Sequence, residues 1–86
     1  MSQSVIAALD AALRAADAAL AGGMRTASGA SASPQLEQLR AGLLAMRGRG
    51  SVDAGELRTM IRAVAEWAPE QDVTLLSALG AVARAT

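Results

Sequence analysis

Apolar residues recur along this chain with helical period in four stretches. In the first, Ile6, Leu9, Leu13, Ala16 and Leu20 stand at spacings of 3, 4, 3 and 4, which aligns them along one side of a helix. Asp10, Arg14 and Asp17 fall off that stripe, spaced so that Arg14 can pair weakly with either acid on the helix surface. The pattern predicts a helix over 4–21, stopped by Gly22 and Gly23, since glycine tolerates the left-handed conformation that often ends a helix.

Leu36, Leu39, Leu43 and Met46 repeat the 3, 4, 3 spacing, with Leu44 widening the face. Ser33 as a capping hydroxyl and Pro34 in the first turn predict a helix over 34–47, which Arg47-Gly48-Arg49-Gly50 ends. A third helix, over 54–67, opens on the best-marked start in the chain. Asp53 and Glu56 have capping-box spacing, and Val52 and Leu57 have that of a hydrophobic staple. Its apolar face is Leu57, Met60, Ile61, Val64 and Trp67, with Arg62 and Glu66 offering an exposed pair. Pro69 stops this helix and, at a tight joint, starts a fourth over 70–84. Glu70 and Asp72 suit the positive end of that helix and Arg84 its negative end. Leu75, Leu76, Leu79, Val82 and Ala83 form its apolar stripe, and Gly80 makes room for a close neighbour.

The fold class expected is therefore all-α, a small four-helix bundle-like domain. Residues 22–33, mostly Gly, Ala, Ser and Thr, read as a flexible linker that spans on the order of 20 Å as a coil. The organisation expected is an amphipathic helix over 1–21, this linker, and a three-helix platform over 34–86. Helix 1 then becomes a tethered arm, free to fold back or to reach a neighbour.

Composition makes the expected core a modest one. The chain has 86 residues and is 52% apolar, but much of that fraction is alanine, and chains of this size bury only roughly 60–65% of their unfolded surface. Trp67 is the lone aromatic residue, which suits it to filling a core or an interface. Eight basic residues, all arginine, balance eight acids, so no global field steers the chain toward polyanions. Cysteine and histidine are absent. Charges at Asp10, Arg14 and Asp17 break the N-terminal apolar stretch and argue against a leader peptide or a membrane span. A cytoplasmic location is the default expectation.

The inventory for chemistry is poor. Without His, Cys or Lys, no nucleophile and base pair can be assembled, and neither catalysis, a cofactor nor a metal is expected. Asp53 and Glu56 are accounted for by capping. Glu66, Glu70 and Asp72 lack the donor spacing of a calcium loop. Arg40, Arg47, Arg49, Arg58 and Arg62 cluster in the middle of the chain and form the one candidate contact for nucleic acid or another polyanion. The loop around Gly48 and Gly50 lacks the Lys and Ser/Thr of a phosphate-binding loop. The fourth helix carries no basic residue before Arg84 with which to read DNA.

The leading expectation is a protein–protein interaction or assembly module, acting as a homodimer or as an adaptor or chaperone-like subunit for a partner protein. Its expected surface is the stripe Ile6, Leu9, Leu13, Ala16 and Leu20. The alternative is a regulator that contacts a polyanion through the five arginines. No small-molecule substrate and no membrane contact is expected.

Overall fold

The computed structural model describes residues 2–70 and 72–86. Four helices follow one another: α1 (Gln3–Ala21), α2 (Ser33–Arg49), α3 (Ala54–Trp67) and α4 (Thr74–Ala85). The all-α, four-helix class is as expected. The arrangement of the helices is not, because α1 lies between α2 and α4 and packs along both, while α3 packs chiefly on α4. The expected platform of helices 2 to 4 with a free arm is thus replaced by a bundle in which the first helix is the central member.

The face that α1 turns inward explains this placement. Val5, Leu9, Ala12 and Ala16 are its buried residues, and the last three have no exposed surface. Two of these four are alanines, so neighbouring helices approach closely on either side. Ile6, Leu13 and Leu20 are only half-buried. Seven residues apart, they form a row about 60–70° round the helix from the buried row. Next round the helix stand Asp10 and Asp17, and their partners identify the neighbour. Asp17 accepts from Arg40 Nε at 2.6 Å and Asp10 from Arg47 Nε at 3.0 Å, so α1 and α2 run antiparallel, in register over seven residues. The expected pairs of Arg14 with these acids give way to pairs between helices. Each partner is about half exposed, so these bridges contribute roughly 0–1 kcal/mol apiece and chiefly fix register.

The end of α1 follows the glycine reading closely. Gly23 is left-handed at φ 67°. Its N–H donates to Leu20 O at 3.2 Å, and the Met24 N–H donates to Ala19 O at 3.0 Å. This pair of bonds is a Schellman motif. Beyond it the expected flexible linker is a folded loop. Arg25 and Ser31 form an isolated antiparallel bridge, Thr26 N–H donates to Ala30 O at 2.8 Å, and Ala32 N–H donates to Met24 O at 3.0 Å. Gly29, at φ 92°, turns the miniature hairpin. Ala27 N–H donates to Trp67 O at 2.8 Å and ties the loop to the end of α3. Small residues suit so tight a turn, and its order comes from backbone hydrogen bonds.

In α2 the buried residues are Leu36, Leu39, Leu43 and Met46, as the spacing indicates, whereas Leu44 is 42% exposed. Ser33 is not the cap. It is the first helical residue, and its N–H donates to Ser31 Oγ at 3.3 Å. Asp53 does cap α3, accepting from Glu56 N–H at 3.0 Å. Glu56 completes no reciprocal bond. It holds Arg49 at 3.1 Å across the turn between α2 and α3. Replacing Asp53 with Ala is expected to lower stability by about 1 kcal/mol, read as a shift in the urea midpoint with unchanged slope.

The joint at Pro69 is longer than expected. α3 ends at Trp67, but α4 begins only at Thr74. Glu70 is exposed outside any helix, and Asp72 accepts from Thr74 N–H at 3.2 Å just before the first turn. Gln71, within the expected range of helix 4, lies outside the described residues. Leu75, Leu79 and Val82 are buried, Leu76 is half-buried and Ala83 is exposed. The glycine that admits a close neighbour is Gly42 on α2, where a Cβ would overlap the Met60 side-chain terminus, while Gly80 faces only the tip of Arg84.

Candidate functional site

With α1 filling one side of the bundle, α2 and α3 splay apart after the turn that joins them. An open apolar groove of about 480 Å³ lies between them. Leu39 and Val64 are buried at its floor, Met60 and Trp67 are half-buried along it, and Gln35, Gln38, Glu56, Thr59 and Ala63 complete its lining. These residues come from successive turns of both helices, for the reason helices have a single face: positions three and four apart point the same way. Met60 reaches across to the Cα of Gly42, so the helices touch through a side chain where their backbones have separated.

At its wide end the groove meets the hairpin loop. A second recess of about 330 Å³ is lined there by Thr26, Ala27, Ser28, Ala30, Gln35, Glu66 and Trp67. Gln35 and Trp67 line both spaces, so the two are continuous. At their junction the Gln35 side-chain oxygen is buried without a hydrogen-bond partner. Such an acceptor loses water on folding and gains nothing in return, at a cost of about 1–3 kcal/mol. Gln35→Leu removes it and is expected to raise the thermal midpoint by several degrees, since about 1 kcal/mol moves a domain of this size by about 4–8 °C. Differential scanning calorimetry of the two chains measures the change.

The residues singled out in the sequence are distributed differently. Leu9 and Ala16 have no exposed surface, and Ile6, Leu13 and Leu20 lie half-buried on the flank turned toward α2. The expected interaction stripe is therefore divided, with two of its residues in the core and three half-buried. Among the five arginines, Arg40, Arg47 and Arg49 are held by Asp17, Asp10 and Glu56. Arg58 and Arg62 are exposed on α3. Two of the five thus pair with α1 and one with the start of α3. The expected Arg62–Glu66 pair does not form among the described residues.

A third recess, of about 360 Å³, separates the end of α1 from the start of α4. Ala15, Ala18, Ala19 and Gly22 wall one half of it, and Met24, Asp72, Thr74 and Leu75 the other. Among the described residues no three His, Cys, Asp or Glu side chains gather as a metal site, and no helix is long and apolar enough to cross a membrane. The periodicity of α2 and α3 marks the floor of the groove in the sequence. Nothing local marks the splay that opens it. Comparison with protein-family models, with curated proteins and with solved structures yields no match to this chain.

Proposed function

We propose that this protein is a small helical interaction module that docks an apolar segment of a partner protein in the groove between α2 and α3. The observation that carries this reading is the lining itself. Leu39 and Val64 lie buried at the floor and Met60 and Trp67 half-buried along it, an apolar lining drawn from both helices. Rims of Gln, Thr and Glu give such a floor the usual layout of a peptide site, with apolar anchoring at the centre and polar orientation at the edge. From Glu56 to Trp67 the groove runs eleven residues along α3, or about 16–17 Å at 1.5 Å per residue. A three-turn amphipathic helix has that length, and helix-in-groove docking is the recognition mode it fits. An adaptor role for a partner protein is favoured over self-assembly through α1, because Leu9 and Ala16 lie in the core and leave only the half-buried Ile6, Leu13 and Leu20 of that stripe.

Selection of displayed random helical peptides on the full-length chain tests the reading. Binders are expected to carry apolar residues at spacings of 3 and 4 and to lose affinity on Ala63→Arg. Ala63 is exposed on the groove wall and has no core contacts to lose. Failure to obtain any peptide sensitive to that substitution would refute the groove as a docking site.

A further inference from the structure

Resting on that docking reading, we infer that Gly42 and Met60 together set the width of the groove. The missing side chain at position 42 is a notch that holds the end of Met60 out of the docking space, and so decides how large an apolar anchor a partner helix can seat there.

Gly42 stands in the interior of α2, where glycine is less favourable than alanine. The backbone does not call for it, since the positive φ angles of the described residues fall at Gly23, Gly29 and Gly50. What glycine supplies at this position is room. A Cβ at 42 would overlap Met60 Cε and lie 3.8 Å from Met60 Sδ, and Met60 is the one neighbour it would meet. Gly48, in the same helix, makes the contrast, because a Cβ there would meet nothing within 4 Å.

Met60 is also the adjustable member of the groove lining. Leu39 and Val64 are branched and buried, Trp67 is a rigid ring and Ala63 is a single methyl group. Methionine is unbranched, with three rotatable bonds, and can place its end in more than one position. Since α2 packs on α1 and α3 on α4, the open space that Met60 adjoins between α2 and α3 is the groove. Its terminal sulfur and methyl thus have two places to lie, the notch or the groove, and Gly42 admits them to the notch. Alanine at 42 closes the notch and turns these two heavy atoms into the groove. A large partner anchor then gives up about that much buried apolar contact, which corresponds to about tenfold in affinity. An alanine anchor never fills the space and loses nothing.

The test uses the full-length chain and displayed helical peptides kept for their sensitivity to Ala63→Arg, each prepared with leucine and with alanine at its central anchor. In the unaltered chain the Met60 methyl should show NMR cross-peaks to the Gly42 α-protons. In Gly42→Ala it should show them instead to the Leu39 and Val64 methyls and the Trp67 ring. Because the displaced group is the flexible end of a side chain, the thermal midpoint of Gly42→Ala is expected at or above that of the unaltered chain. Leucine-anchored peptides should lose about tenfold in affinity for it, while their alanine-anchored forms keep theirs. Gly48→Ala should leave both unchanged, and Met60→Leu, whose side chain is shorter, should return most of the lost affinity when added to Gly42→Ala. Leucine and alanine forms that respond alike to Gly42→Ala, or a lowered midpoint with the Met60 methyl unmoved, would overturn the notch and leave the groove reading standing. Absence of any Ala63→Arg-sensitive binder would overturn both.

Discussion

Leu9→Ala is expected to destabilise the protein by about 2–5 kcal/mol, the range for deleting a fully buried leucine side chain. Leu9 has no exposed surface and sits in the helix against which both α2 and α4 pack. For a chain of 86 residues, total stability on the order of 0.05–0.15 kcal/mol per residue makes this a large share of the whole. Chemical denaturation followed by circular dichroism measures it. A loss below about 0.5 kcal/mol, the usual range for surface positions, would mean that α1 is an appendage after all. By the same reasoning a chain beginning at Ser33 should fail to fold cooperatively, since it lacks Val5, Leu9, Ala12 and Ala16 from the core.

Ala16→Leu is the second large effect, and its sign is informative. On an exposed docking stripe, leucine in place of alanine would be neutral for folding and would strengthen the stripe. Here Ala16 is completely buried, at a place where α1 is wedged between two helices. Three added carbons have no space there, and overpacking of this kind costs about 1–3 kcal/mol. Thermal melts of the variant are expected to show a lowered midpoint with unchanged helicity at low temperature. A raised midpoint would contradict the packing of α1 in the bundle.

These two residues also mark what the sequence could and could not disclose. The four helices were legible because each carries its period and most of its punctuation: Gly22-Gly23, Asp53 and the stripe from Leu36 to Met46 all act as their chemistry indicates. Periodicity finds the apolar side of α1 as Ile6, Leu9, Leu13, Ala16 and Leu20, of which only Leu9 and Ala16 are fully buried. Burial centres on Val5, Leu9, Ala12 and Ala16, because a helix with neighbours on two sides places its small residues where they approach most closely. The hairpin over 24–32 was illegible for a different reason. Its order rests on backbone hydrogen bonds to Met24, Ala30 and Trp67, and the residues that make them are those of any flexible linker.

The groove was half legible. Leu39, Met60, Val64 and Trp67 fall on predicted apolar faces, which identifies them as core or interface without choosing. The choice is made by tertiary placement, in which α2 packs on α1 and α3 on α4. Gln35 carried no signal at all, since an amide in the first turn of a helix is unremarkable until its oxygen is found buried and unpaired. Likewise the partners of Arg40, Arg47 and Arg49 were not legible in the sequence. Asp10, Asp17 and Glu56 lie 37, 23 and 7 residues from the arginines they hold, beyond the reach of local pattern.

The most direct test of the account is to map a selected peptide onto the full-length protein by NMR. The account predicts that shift changes concentrate on the Leu39 and Val64 methyls, the Met60 methyl, the Trp67 indole and the Gln35 side-chain amide, while Ile6, Leu13 and Leu44 on the α1–α2 flank stay unmoved. Changes centred on that flank, with the α2–α3 groove silent, would contradict it.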